Sequence, residues 1–181
     1  NIRQLVGEVI KDMALNSTKE APSGGSVGVY SDLDSAVTAA DIAFRDFTQV
    51  NLETRKDIIE EMRKVSLENR EILSKMAQEE TGLGRWEDKV PKNNLAITKT
   101  PGVEDLVPEA FSTDSGLTIV ERAPYGVIGS ITPSTNPTAT IISNAIGMVA
   151  AGNAVVFNPH PSAKKVSSHL VQLLNKAIVS K

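Results

Sequence analysis

The stretch Val127-Ile128-Gly129-Ser130-Ile131-Thr132-Pro133-Ser134-Thr135-Asn136-Pro137 decides the fold. Its first half is a short apolar run closed by proline and hydroxyl residues, which predicts a buried strand over 127–131. Pro137 then opens a helix over 137–151, because proline is tolerated at the first helical position, where its missing N–H does no harm. Gly152-Asn153 turns the chain into a second strand over 154–157, and a further helix runs from Ser162 to about Val179. Just upstream, 117–120 has strand character. This β-α-β-α order predicts a parallel sheet with crossover helices, an α/β fold.

Residues 123–163 contain no Asp, Glu, Lys or Arg. A bilayer helix needs about 20 consecutive apolar residues, and prolines together with Gly152-Asn153 cut this stretch shorter, so it reads as buried core and no membrane partner is expected. Toward the N-terminus the period becomes helical. Ser31-Asp32-Leu33-Asp34 offers N-cap chemistry to a helix with Leu33, Val37, Ala40, Phe44 and Phe47 on one face. A second block from Leu52 to about Thr81 carries Ile58, Ile59, Met62, Val65, Leu73 and Met76 inward and ends at Gly82 and Gly84. A third, Arg85 to about Thr98, is expected to bend or break at Pro91. The charged faces of these helices read as solvated surface.

At the start of the chain, Ile2, Leu5, Val6, Val9, Ile10 and Met13 form one helical stripe over residues 1–15. Residues 16–26, rich in Pro, Gly and Ser, read as a flexible linker. A short amphipathic helix on a tether must dock on its own domain, a partner helix or a shell protein. The body of the chain is 27–181.

Composition narrows the chemistry. The 181 residues include no cysteine, which removes disulfides, thiolate metal sites and any cysteine nucleophile from this chain. A net charge of −3 leaves no electrostatic footprint for nucleic acid, and one Trp, two Tyr and four Phe make no stacking platform. Ligands of open parallel sheets bind beyond the carboxyl ends of the strands, so the informative loops are Thr132-Pro133-Ser134-Thr135-Asn136 and Asn158-Pro159-His160-Pro161-Ser162. The first gathers hydroxyls, an amide and a helix N-terminus, which suits an anion or a developing oxyanion, or simply caps a helix with Asn136. In the second, Ser162 is an N-cap candidate. Lys164 and Lys165 stand against the helix dipole, which hints at an anionic ligand such as a phosphate or marks two solvated lysines. His160 has no neighbouring ligand set, so no metal is expected. The G-x-G-x-x-G and P-loop patterns are absent.

The runs 121–137 and 151–165, with Glu80-Thr81-Gly82-Leu83-Gly84-Arg85-Trp86-Glu87-Asp88-Lys89 and Thr100-Pro101-Gly102-Val103-Glu104, closely resemble the CoA-acylating aldehyde dehydrogenases of bacterial microcompartments, the propionaldehyde and acetaldehyde dehydrogenase family. The resemblance covers essentially 27–181. It implies N-terminal helices followed by part of a Rossmann-like NAD- and CoA-binding domain. The implied reaction joins a short-chain aldehyde, CoA and NAD through a cysteine thioester to give acyl-CoA and NADH. Asn136 matches the family's catalytic asparagine, whose amide holds the oxyanion. Thr132, Pro133, Ser134 and Thr135 match the segment lining the nicotinamide side of the cofactor cleft. Asn158, Pro159, His160 and Pro161 match the segment at its adenosine end.

Hydrolytic aldehyde dehydrogenases carry a lysine and a glutamate where this chain has Asn158 and Pro161, and that departure favours the acylating branch. The leading helix resembles an encapsulation peptide, implying docking on shell or cargo through residues 2–13, a place in the bacterial cytoplasm inside a microcompartment, and a homo-oligomer in the complete enzyme. Because family chains are more than twice this length, the resemblance implies an N-terminal portion with the nucleophile outside it, inactive alone and exposing an open sheet edge. The competing reading is a non-catalytic targeting or interaction fragment.

Overall fold

The structure, a computed structural model, describes residues 27–181. The expected leading helix and linker lie outside the described residues. Among these, no helix is long and apolar enough to cross a membrane.

Helix α1 (Leu33–Phe47) starts where Asp32 accepts the Ser35 N–H at 2.8 Å and the Ser35 hydroxyl at 2.9 Å. Its expected apolar face is only partly covered. No residue of α1 is buried, and Leu33 and Val37 are 65% and 42% exposed, because the helix meets the rest of the fold chiefly along β4, through its alanines and Phe47. The central helix α2 (Leu52–Thr81) is capped by Asn51, which accepts the Thr54 N–H at 2.8 Å, and ends at Gly82, whose φ of 67° only glycine adopts without strain. Its stripe of Ile58, Ile59, Met62, Leu73 and Ala77 is buried as the spacing predicts, with Val65 and Met76 half-buried beside it.

Helix α3 (Trp86–Lys99) runs through Pro91 without breaking. The proline removes one N–H, but buried Asn93 and Ile97 hold the following turns against their neighbours, so tertiary packing outweighs local propensity. Arg63 of α2 donates to the carbonyls of Ile97 and, at 2.7 Å, Thr100, satisfying the orphan end of α3. After a 3₁₀ turn (Val103–Asp105) comes a hairpin, β1 (Glu109–Thr113) and β2 (Gly116–Val120), paired antiparallel with Glu109 opposite Val120. The sequence predicts only the second of these strands and attaches it to the parallel order. Instead it pairs with β1, and both strands are exposed throughout.

The unit expected from the opening stretch follows: β3 (Val127–Thr132), α4 (Pro137–Ala150), β4 (Ala154–Pro159) and, after a 3₁₀ turn (Pro161–Ala163), α5 (Lys164–Val179). β3 and β4 are parallel, with Val127 opposite Ala154 and Thr132 opposite Pro159. The core lies where α2, α4 and α5 meet, around Met62, Leu73, Ile141, Ile142, Ile146, Val166 and Leu170. Each such buried aliphatic side chain contributes about 1.5–3 kcal/mol. Asn153 joins the unit at its base, accepting the N–H groups of Tyr125 (2.6 Å) and Gly126 (3.0 Å) and donating to the Met148 carbonyl (3.1 Å).

Candidate functional site at the carboxyl ends of the parallel strands

Parallel pairing brings the two predicted loops together. Thr132 and Pro159 are partners at the last ladder position, and the His160 N–H donates to the Thr132 carbonyl at 3.0 Å. Thr132, Pro133, Ser134, Thr135 and Asn136 therefore stand beside Asn158, Pro159, His160 and Pro161 along one rim. Pro133, Thr135, Asn158, His160 and Pro161 are exposed; Ser134, Asn136 and Pro159 are half-buried; Thr132 is buried. The Thr132 hydroxyl oxygen is buried without a hydrogen-bond partner among the described residues, a polar atom at the rim that a polar ligand group would satisfy.

Asn136 occupies the N-cap position of α4, and its carbonyl accepts the Thr140 N–H at 3.1 Å, but its side chain makes no capping bond. Its Oδ1 instead accepts from Lys92 Nζ of α3. Lys89, one turn earlier, donates to the Thr135 carbonyl at 3.2 Å. Burial, and secondarily the charge of Lys92, push the Lys89 ammonium below its ordinary value. The reading of the helix charges as solvated surface therefore holds for exposed Lys92 and is corrected at half-buried Lys89, while both lysines also contact the loop. A signal existed in the spacing: Lys89 and Lys92 share a face, and Asp88, one turn before Lys92, is engaged by Arg85 at 2.8 Å. Next to Lys92, Asn93 is 1% exposed; it accepts from the Thr138 hydroxyl at 2.9 Å and donates to Ser74 at 3.0 Å. α3 thereby holds the first turn of α4.

The second loop departs from expectation at the start of α5. Ser162 does not cap that helix; its N–H donates to His160 Nδ1 at 3.2 Å, and its hydroxyl lies 2.8 Å from the same nitrogen. The free N–H groups of Lys165 and Val166 each donate at 2.7 Å to the Glu80 carboxylate of α2. The anion at the helix N-terminus is therefore supplied by the chain itself, and Lys164 and Lys165 are the solvated lysines of the alternative reading, both exposed. Nothing local in the sequence links residues so far apart.

From Asn158, Pro159 and Lys164 a groove of about 530 Å³ runs along β4 between α1 and α5, lined by Ala36, Ala40, Val155, Phe157 and Val171 among others. A cofactor-sized ligand needs about 300–1,000 Å³.

Residues 17–181 match the model of the aldehyde dehydrogenase family. Over 99% of its length the chain is 47% identical to an acetylating acetaldehyde dehydrogenase of Bilophila wadsworthia, of which it spans 38%. A propionaldehyde dehydrogenase of Rhodopseudomonas palustris, solved with bound CoA and an acylated cysteine, superposes with a TM-score of 0.83 at 50% identity, covering 86% of this chain and 36% of that one. A propionaldehyde dehydrogenase from the fucose utilisation microcompartment of Clostridium phytofermentans gives 0.83 at 49%, with the same coverage of each. The chain thus spans less than two-fifths of the relatives it matches. With the match extending over all of the described residues, the chain belongs to the aldehyde dehydrogenase family.

Proposed function

We propose that these residues serve a CoA-acylating aldehyde dehydrogenase, which oxidises a short-chain aldehyde with NAD and passes the acyl group to CoA, giving acyl-CoA, NADH and a proton. The observation that carries this reading is the rim itself, with Thr132–Asn136 and Asn158–Pro161 meeting at the last pair of a parallel ladder in a chain similar to acylating enzymes. Bound NAD supplies the two-electron acceptor. The buried, unpartnered Thr132 hydroxyl fits a polar group of the cofactor, and the apolar side chains of the groove beside Asn158 and Pro159 fit an apolar ring face of it. Ser134 and Thr135 offer further hydroxyls toward its nicotinamide side. Asn158 and Pro161 bring no charge to the adenosine end, which leaves that end open to CoA as well as to NAD.

In this reading a cysteine outside the present residues attacks the aldehyde carbon, and the amide N–H of Asn136 stabilises the oxyanion that forms. The region 27–181 is then the leading part of a larger cofactor domain, and residues 2–13 dock the enzyme on microcompartment shell or cargo, in keeping with the microcompartment relative. The complete enzyme is a homo-oligomer in the bacterial cytoplasm.

The test is intact mass of the denatured protein, then NADH formation from acetaldehyde and propionaldehyde with and without CoA. CoA-dependent NADH from a thiol-bearing polypeptide supports the proposal. NADH without any need for CoA returns the hydrolytic branch. No NADH from a thiol-bearing polypeptide, with either aldehyde, leaves the non-catalytic interaction module.

A further inference from the structure

An amide side chain has an accepting end and a donating end, and an ammonium only donates. The contact between Lys92 Nζ and Asn136 therefore fixes which end is which: Oδ1 faces the lysine and Nδ2 is turned away from it. Asn136 Nδ2 has one further contact, a long 3.5 Å approach to the Thr135 hydroxyl, so its N–H groups are not consumed by a strong internal partner. The usual competitor for Oδ1 is the helix N-terminus, and Asn136 makes no capping bond. A residue type suited to capping thus sits at a cap and leaves it unused, which is the kind of local departure expected where a side chain is reserved for another purpose.

Three positions on one stretch of α3 hold this loop and the first turn of α4. Lys89 holds the Thr135 carbonyl at 3.2 Å, Lys92 the Asn136 amide, and buried Asn93 the Thr138 hydroxyl at 2.9 Å. Main chain and side chain are both restrained around Asn136. Drawing electron density toward Oδ1 also makes the Nδ2 hydrogens better donors, since linked hydrogen bonds polarise one another.

We propose that Lys92 is a positioning residue for Asn136: by holding Oδ1 it presents the Nδ2 hydrogens toward the developing oxyanion and strengthens them as donors. The proposal rests on the reading of Asn136 as the oxyanion donor.

The experiment uses the complete thiol-bearing enzyme with Lys92→Met, Lys92→Arg, Asn136→Ala and the double variant Lys92→Met/Asn136→Ala, assayed for CoA-dependent NADH formation. Loss of an oxyanion donor lowers kcat by about 100- to 1,000-fold, which is the expectation for Asn136→Ala. Lys92→Met should lower kcat by about 10- to 50-fold, part of that effect, with KM for the aldehyde within about twofold. Lys92→Arg, which still donates, should recover most of the loss. In the Asn136→Ala background Lys92→Met should change kcat by less than about twofold, whereas a merely structural lysine would cost the same in both backgrounds. Independently of turnover, the Asn136 side-chain amide resonances of the ¹⁵N-labelled enzyme, assigned by their loss in Asn136→Ala, should move in Lys92→Met and return in Lys92→Arg.

A Lys92→Met enzyme with parental kcat beside a crippled Asn136→Ala overturns the positioning role and leaves the oxyanion reading standing. An equal Lys92→Met loss in both backgrounds does the same. Parental kcat in Asn136→Ala overturns the oxyanion reading itself, and the role of Lys92 with it.

Discussion

Replacing Glu80 by alanine removes one carboxylate and two hydrogen bonds, the 2.7 Å contacts from the Lys165 and Val166 N–H groups at the start of α5. No side chain from the loop substitutes for it, since α5 has no capping side chain of its own and Ser162 is turned toward His160. Hydrogen bonds to a charged acceptor are worth about 1.5–3 kcal/mol net, and a negative charge on a helix N-terminus adds about 0.3–1 kcal/mol. The two bonds share one half-buried carboxylate, and water reaches the vacated N–H groups in part, so the expected loss is about 2–3 kcal/mol. Lys164 and Lys165 then stand in the first turn of α5 with no anion at the helix N-terminus, which works in the same direction. For a cooperative unit of about 150–250 residues that corresponds to a fall of about 4–12 °C in Tm, and to less in the longer complete protein. Glu80→Gln keeps one acceptor and should lose about half as much. The assay is urea unfolding of the complete protein, followed by far-UV circular dichroism, with Tm as a second readout. A midpoint for Glu80→Ala equivalent to less than about 0.5 kcal/mol of loss would show that water serves the start of α5 as well as Glu80 does.

Other outcomes follow from the same geometry. Asn153→Ala strips the buried amide that serves Tyr125, Gly126 and the Met148 carbonyl, and should cost about 2–4 kcal/mol in urea unfolding. Gly152→Ala places a Cβ 3.1 Å from Arg55 Nη1 at a φ of 86°, and should lower stability by about 1–2 kcal/mol, measured in the same way. The Gly102 N–H at 2.8 Å, more than the charge of Arg63, holds the Glu104 carboxyl below its ordinary 4.5. Its contribution is complete above pH 4.5 and is lost as pH falls through the folded-state value, so Glu104→Gln should flatten the acid limb of the stability profile and leave the slope above pH 5 unchanged.

The fold was most legible where one physical signal acted alone. The stripe through Ile58, Ile59, Met62 and Leu73 with Gly82 behind it marks α2, and the apolar runs around Ser130 and Val156 mark the parallel pair. β1 escaped notice because Glu109-Ala110-Phe111-Ser112-Thr113 has one large apolar side chain and no covered face; its strand character comes from its partner across the hairpin. α3 continues past Pro91 for a reason equally remote from that residue, the buried Asn93 and Ile97 beyond it. At the site, both loops could be located from strand ends and prolines. What faces them could not: spacing puts Lys89 and Lys92 on one face of α3 but does not tell that this face meets Asn136, nor that Glu80 reaches the start of α5 across a long interval of chain.

Glu80 and Arg55 stand near opposite ends of α2, and each holds one end of the parallel unit, Glu80 at the start of α5 and Arg55 through the Ala150 carbonyl at 3.1 Å. At 1.5 Å per residue the two anchor points are about 38 Å apart on a single rod. The rod acts as a gauge: inserting one residue midway along α2 would rotate one anchor by about 100° relative to the other, so that either the rim or the base of the unit must let go. An insertion of four residues restores the angle to within about 40° and leaves mainly a lengthening of about 6 Å. Tolerance to insertions in α2 should therefore rise and fall with the helical period.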